Sequence, residues 1–352
     1  MCAGLSAFGH AAARGASAFT SYFATVGSGW HMTLIALLLI ATRLLALALA
    51  SGVNLYATIA VLGLAIRFDW IEPLPPALIG LEQWLLIGGA LALFVVELVA
   101  SAIPRVDTIW ETFHTAVRPL AAWSLAFVAL EAAPWPLRLL GATLAGTAAF
   151  AAHVTKFGLR LLRTRQKPDH LRLSVAEDAM AIALATLALL HPMLGLVLVA
   201  LTAASLSRIG PGPWRAAVFA ARAALAWVRG FFGGRGWQPV SALPQPFQHL
   251  VSPQEVGLPA PRLARAALST AGAGTHRNGW IVFDRNAAAF LYRHAFRPRR
   301  LALTRPDEAA IRHDWLADVV DLRVRDSHYT LHLLKDGPPA EITVGALQLV
   351  IE

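Results

Sequence analysis

Ala50-Ser51-Gly52-Val53-Asn54-Leu55-Tyr56-Ala57 interrupts an apolar run, residues 33–68, whose only charges are Arg43 and Arg67. The run is longer than the roughly 20 residues that one membrane-crossing helix needs. A polar, glycine-containing break inside it decides the fold. Lipid cannot hydrogen-bond exposed main-chain groups, so such a break survives at membrane depth only when protein buries it or when it lines a wet cavity. Ser51, Gly52, Asn54 and Tyr56 are therefore the first candidate site residues, as a broken helix that binds a solute or ion. The same residues also fit a packing patch, with Gly52 allowing close approach and Asn54 bonding a neighbouring helix.

The rest of the chain has the composition that reading demands. Hydrophobic residues make up 57% and charged residues 14%, and the mean hydropathy is +0.56, which excludes an ordinary water-soluble protein. A single cysteine, Cys2, excludes a disulfide framework and cysteine-based metal centres. The net charge of +9 falls mainly beside the apolar runs, which points to orientation in a bilayer instead of nucleic-acid binding. Residues 1–30 read as a short cytoplasmic tail.

Further apolar spans are expected at residues 84–103, 108–130, 137–162, 173–190 and 193–206. A proline-rich acidic connector, Asp69 to Pro76, separates the first run from the second span, and a second outer turn, Glu131 to Pro136, lies midway. Between Arg160 and Arg172 five basic residues accompany one acid, and the positive-inside rule assigns that loop to the cytoplasm. The expected architecture is an α-helical polytopic membrane bundle of six spans over residues 31–208, with seven as the rival count. With six spans, the two halves form a 3+3 inverted repeat, Ala50 to Ala57 matching Ala151-Ala152-His153-Val154-Thr155-Lys156-Phe157-Gly158 as a second break.

Ionisable residues inside spans are costly and default to functional or paired roles. Glu97 lies in the second span. Asp107, Glu111, His114 and Arg118 recur at i, i+4, i+7 and i+11 and share one helical face, with Pro119 predicted to kink the helix. His153, Thr155 and Lys156 follow in the fourth span, where Lys156 also admits simple snorkelling to the headgroups. Glu177 and Asp178 open the fifth, where helix-dipole effects would suffice, although a bridge from Glu177 to Lys156 is the specific alternative. His191-Pro192 reads as a tight turn. No catalytic signature, metal-ligand spacing or cofactor motif appears, and the chain is not expected to be an enzyme.

Arg215, Arg222 and Arg229 repeat every seven residues within a stretch, 208–235, that holds five arginines and no acid. With Trp214, Val218, Leu225, Val228 and Phe232 beside them, residues 209–235 read as an amphipathic helix on the inner leaflet, drawn to anionic lipid. A linker, 236–278, and a small cytoplasmic β-rich domain, 279–352, follow. Its strands are expected at residues 279–283, 288–293, 299–304, 318–325, 328–334 and 340–344, in a pleckstrin-like or similar half-barrel.

Several of these motifs occur together and in order: Ala50-Ser51-Gly52-x-Asn54-x-Tyr56-Ala57, then Glu97 before Ile103-Pro104-x-Val106-Asp107-x-x-Trp110-Glu111, then His114-x-x-x-Arg118-Pro119, His153-x-Thr155-Lys156, Glu177-Asp178 and His191-Pro192. Over residues 44–206 the chain resembles the bacterial polytopic membrane family known as domain of unknown function four-one-two-six. The resemblance implies a multi-pass protein of the bacterial inner membrane and carries no reaction or substrate. The leading expectation is a transporter or channel-like protein for an unidentified small solute, with Glu97 coupling to protons. The rivals are a scaffold or regulator that presents its β domain to a protein partner or lipid surface, and a lipid-handling protein.

Overall fold

The computed structural model describes residues 30–71, 76–131, 133–163, 170–209, 211–233, 235–251, 261–270, 274–284 and 287–350. The expected N-terminal tail, part of the proline-rich connector, part of the basic loop before residue 170 and part of the expected linker lie outside them. The chain divides into two compact units, 1–210 and 211–352.

The first unit is helical. Helix α1 (Trp30–Val53) ends one residue before α2 (Leu55–Arg67), a 3-10 turn follows at Pro76–Glu82, and then come α3 (Trp84–Ser101), α4 (Pro104–Ala129), α5 (Trp135–Arg163), α6 (His170–Leu190) and α7 (Pro192–Ile209). Helix α1 packs against α4, α5, α6 and α7, and α2 against α3 and α6. Small side chains set the closest approaches: Ala48, Ala122, Ala126, Ala142, Ala145 and Ala149 form one buried cluster. A Cβ on Gly52 would lie 2.3 Å from the main-chain oxygen of Ala149, so this position tolerates no side chain. At His191 the chain turns back sharply enough for Gly195 to meet Ala188, as the expected hairpin requires.

Polarity is distributed inside out. Glu97, Glu111, His114, Arg118, His153 and Lys156 are buried, whereas Leu85, Leu91, Val95 and Val99 of α3, Phe113 and Leu120 of α4, Leu140 and Leu144 of α5, and Val197 and Leu201 of α7 are exposed. Continuous exposed apolar surface of this kind suits a lipid environment. Among the described residues three helices are long and apolar enough to cross a membrane, at Trp84–Ser101, Trp135–Leu161 and Pro211–Gly233. Two coincide with expected spans. The third is the helix expected at the surface.

Sequence and structure differ at the second octapeptide. Ala151 to Gly158 lies inside the unbroken helix α5, so it is no counterpart to the break at Asn54, because nothing in it removes a main-chain hydrogen bond from the helical ladder. The inverted repeat loses the paired helix breaks on which it was drawn.

The second unit begins with α8 (Pro211–Gly233), a 3-10 turn at Val240–Ala242 and the single turn α9 (Gln245–Gln248). Seven antiparallel strands follow: β1 (Arg262–Thr270), β2 (Gly274–Asp284), β3 (Ala287–His294), β4 (Arg297–Leu303), β5 (Glu308–His313), β6 (Ala317–Val324) and β7 (Ser327–Leu334), then α10 (Ala340–Gln348). Their order in the sheet is β4-β3-β2-β1-β7-β6-β5. One face carries Ala264, Ala266, Leu268, Ile281, Phe290, Leu331 and Leu333, packed with Val344 and Leu347 of α10. The opposite face holds Leu263, Val282 and Leu291 against Leu243 and Phe247, and α8 also packs on β2 and β7. Gly279 is required on the α10 face, since a Cβ there would lie 2.1 Å from the Leu291 oxygen and 2.7 Å from the Phe290 ring.

Three expectations are corrected here. The stretch 236–278 is not a linker throughout, because Arg262–Thr270 forms the central strand β1 and Gly274 begins β2. Its alternation is masked by three alanines and two leucines, which do not look strand-forming by composition. Strand β5 was also missed, and residues 340–344, expected as a strand, open α10, where Pro339 precedes the first turn.

Candidate functional site

Asn54 separates α1 from α2 with an extended backbone, φ −144° and ψ 106°. Its side chain does two jobs. Oδ1 accepts from the Ala57 amide at 2.9 Å and caps α2, as an N-cap asparagine should. Nδ2 donates to Asp178 Oδ1 at 2.8 Å and ties the break to α6.

The break also leaves the last carbonyls of α1 without helical partners. Arg118 Nη1 donates to the oxygens of Gly52 at 2.9 Å and Val53 at 2.7 Å, and Lys156 Nζ donates to Val53 O at 2.7 Å. Two cations thus sit at the negative end of a helix, where the dipole favours them. Both are deeply buried, and Arg118 has no exposed surface.

Carboxylates close the other side of the two cations. Arg118 Nη2 lies 2.6 Å from Glu97 Oε1 and 3.5 Å from Glu111 Oε2. Lys156 lies 3.3 Å from Glu97 Oε1 and 3.0 Å from Glu111 Oε1. Glu111 is the hub, because its Oε1 is also 3.4 Å from Arg160 and its Oε2 3.4 Å from His153 Nδ1. Arg160 then reaches Asp107 at 2.5 Å and Glu177 at 2.6 Å, with Ser174 at 3.2 Å. Two helical ladders produce this arrangement: Asp107, Glu111 and Arg118 on one face of α4, and His153, Lys156 and Arg160 at i, i+3 and i+7 on α5.

Main-chain acceptors fix which ring nitrogen of each histidine carries a proton. His114 Nδ1 is 2.7 Å from the Trp110 oxygen, which can only accept, so Nδ1 carries the proton and Nε2 accepts from Tyr56 at 2.9 Å. His153 Nε2 is 3.1 Å from the Glu111 main-chain oxygen, and its Nδ1 accepts from Arg118 Nη1 at 3.1 Å. This tautomer assignment follows from the hydrogen-bond network.

Of the residues singled out from sequence, the structure joins Gly52, Glu97, Glu111, Arg118, His153, Lys156 and Glu177 in one buried network, with Asn54–Asp178 and Tyr56–His114 as hydrogen-bonded pairs beside it. Thr155 stays outside it, bonding only back to Ala151 O at 2.9 Å. Ser51 likewise bonds back to Ala48 O and instead lines a mainly apolar cleft of about 280 Å³ with Leu55, Thr58, Leu62, Leu81 and Leu125. Lys156 does not snorkel, and Glu177 pairs with Arg160, not with Lys156. Arg160 and Asp107 belong to the network although Arg160 reads in sequence as part of the basic loop. Its position seven residues after His153 was the available signal. Ser101 and Ser174, 3.0 Å apart, carried none.

An inside-out helical bundle with a buried ion-pair network at a helix break defines a membrane-type protein with an internal polar site. Residues 40–210 match the family model described as domain of unknown function (DUF4126), and the helical unit belongs to that family. No curated protein and no solved structure matches the chain. Among the described residues no group of histidine and acidic side chains is placed to hold a metal ion.

Proposed function

We propose that this chain is an integral membrane protein of the bacterial inner membrane that moves a small anionic or zwitterionic solute together with a proton. The observation that carries the reading is Arg118, fully buried between the free carbonyls of a broken helix and Glu97. A buried cation whose nearest counter-charge, Glu97, can be replaced while Glu111 stays in place is a switchable anion site. Protonation of Glu97 removes the charge that Arg118 and Lys156 face, and a solute carboxylate or phosphate entering at the same place restores neutrality, so proton and anion travel as a pair.

Proteoliposomes loaded with a pH-sensitive dye test this with glycine, glutamate and inorganic phosphate as probes. Acidification of the lumen by at least one probe is expected, and Glu97→Gln should abolish the proton component. Unchanged proton movement in that variant would remove Glu97 from the coupling role.

A second reading is favoured by the density of pairing. Glu111 has three cationic partners within 3.5 Å, and Gly52 is pressed against Ala149, which suits a static scaffold that anchors the C-terminal unit for a partner. Absence of flux for every probe supports that alternative.

A further inference from the structure

Strands β3 and β4 are joined by a two-residue turn, Ala295-Phe296, closed by the pair His294 and Arg297. Both turn residues are left-handed, with φ of 47° and 65°, as a tight hairpin of this kind requires. Asparagine followed by glycine meets that requirement at the least steric cost, whereas phenylalanine at the second position carries the full penalty of its Cβ. Packing offsets none of it, because Phe296 is 98% exposed. The turn explains the backbone and leaves the side chain unexplained. Strain kept without an internal contact points outward, to something that the apex meets.

The charge around the apex narrows what that is. Residues 287–303 hold four arginines, Arg293, Arg297, Arg299 and Arg300, one histidine and no acid, and all four arginines are exposed. They flank the hairpin on both faces. Arg299 is paired with Tyr292, which packs into the core that α10 completes, and Arg297 lies two residues earlier on the same face. Arg300 is paired with Leu291 of the opposite face, which Arg293 shares two residues further along β3. Arginines on an outer strand also discourage edge-to-edge pairing, which accounts for β4 but not for an aromatic ring at the apex.

Single-stranded nucleic acid is bound by stacking successive bases on several aromatic rings across an open sheet face. Here Phe290 is buried and Tyr292 packs against the same core, so a single ring stands at the apex with no platform behind it. A wedge ringed by cations fits a layer that is anionic at its surface and apolar just below. The helical unit supplies a tether, since its outer surface suits lipid and the chain runs on from it into α8. The second unit therefore stays within reach of a membrane surface.

We propose that the β3–β4 hairpin is a bilayer-contacting element, in which Phe296 enters an anionic membrane surface below the headgroups while Arg293, Arg297 and Arg299 meet the lipid phosphates. It requires the helical unit to be embedded in a bilayer and is independent of any transport by it.

The test uses the full chain in proteoliposomes, with Cys2→Ser as background because Cys2 is the only cysteine. A single nitroxide at Ala295→Cys reports beside an intact Phe296. A second, at Thr304→Cys, is the aqueous reference, exposed and beyond the far end of β4. Collision with oxygen, which concentrates in the bilayer, and with a nickel chelate on both sides of the vesicle, which stays in water, locates each label. In phosphatidylcholine vesicles containing phosphatidylglycerol, the label at 295 should favour oxygen and the label at 304 nickel. Phe296→Ser should shift the label at 295 toward nickel, and Phe296→Trp should keep it with oxygen. Omitting phosphatidylglycerol, raising salt, or combining Arg297→Gln with Arg299→Gln should also shift it toward nickel, with the label at 304 unmoved throughout.

A nickel-favoured label at 295 in the anionic vesicles would overturn the proposal, as would a label shielded from both colliders by a second copy or another protein. Immobilisation of that label by an added single-stranded oligonucleotide, without oxygen preference in vesicles, would assign the hairpin to nucleic acid instead. Oxygen preference that survives Phe296→Ser would overturn the role of the ring, and indifference to lipid charge and salt would overturn that of the arginines. Flotation with the vesicles after an alkaline wash checks embedding separately, and a chain that does not float would remove the tether and the proposal with it.

Discussion

Arg118 of α4 donates to the main-chain oxygen of Val53, 65 residues earlier in the chain, at 2.7 Å. One side chain thereby does what the next turn of α1 would have done, and the break at Asn54 becomes affordable inside an apolar bundle. Glu97 on the far side of the guanidinium keeps the pair neutral, so break and ion pair depend on each other.

Replacing Arg118 with alanine takes from Glu97 its nearest cation and from the Gly52 carbonyl its side-chain donor, and leaves the Val53 carbonyl with Lys156 alone. Removing one member of a buried pair costs about 3–5 kcal/mol. The variant should show a large drop in apparent melting temperature in detergent. Arg118→Lys should recover only part of it, because an ammonium cannot span Gly52, Val53 and Glu97 with a planar fork. An unchanged melting temperature for the alanine variant would mean that the network adds nothing to stability.

Gly52→Ala places a methyl carbon 2.3 Å from the Ala149 oxygen. Because the obstructing atom is main chain, no rotamer change relieves it, and α1 must separate from α5. The expected result is loss of the monodisperse species in size-exclusion chromatography, together with protease sensitivity near residue 54. Ala48→Gly, in the same small-residue cluster, should leave a folded protein, since it removes only a methyl group.

Asn54→Asp turns the 2.8 Å bond to Asp178 into two facing carboxylates. One of them must take up a proton to restore the bond, so this variant should gain stability as pH falls through the range where that shared proton binds, and lose it as pH rises. Adding Asp178→Asn reverses the donor and acceptor and should remove the new pH dependence. A melting curve for the single variant that is flat between pH 5 and about pH 8, judged against the wild type, would place the two side chains apart.

How much of this was readable in advance varies along the chain. The site was legible because intramembrane charge is scarce: Glu97, Arg118 and Lys156 stand out against apolar neighbours, and the i, i+4, i+11 spacing puts Asp107, Glu111 and Arg118 on one face of α4. Arg160 was not, because its sequence neighbours Arg163 and Arg165 place it in a solvated basic loop, and only the packing of α5 against α4 draws it to Asp107 and Glu177. In the second unit, β6 and β7 were visible from β-branched and alternating residues. Strand β1, Arg262-Leu263-Ala264-Arg265-Ala266-Ala267-Leu268-Ser269-Thr270, was hidden because alanine occupies both of its faces, and what holds it is pairing with β2 and β7, a tertiary effect. Residues 340–344 contain Ile342, Thr343 and Val344, whose strand preference is overridden once Thr343 and Val344 pack beside Leu347 on a helical face.

The network's carboxylates are not equivalent, and single amide replacements should rank them. Glu97, Asp107, Glu111, Glu177 and Asp178 are all buried, and among the described residues Arg118, Lys156 and Arg160 are the buried permanent cations beside them. Glu111 faces Arg118, Lys156, Arg160 and His153, so Glu111→Gln strips charge from the point where it is most needed and should cost about 3 kcal/mol or more. Asp178 is bonded to the neutral amide of Asn54, and Asp178→Asn keeps an oxygen for that amide to donate to, so its cost should stay below about 1 kcal/mol. Glu177→Gln, losing the 2.6 Å pair with Arg160 while Asp107 still holds that guanidinium, should fall between. Thermal unfolding of the three variants in one detergent checks the order, and Asp178→Asn proving as damaging as Glu111→Gln would show that the charge on Asp178 matters as much as the hub charge on Glu111.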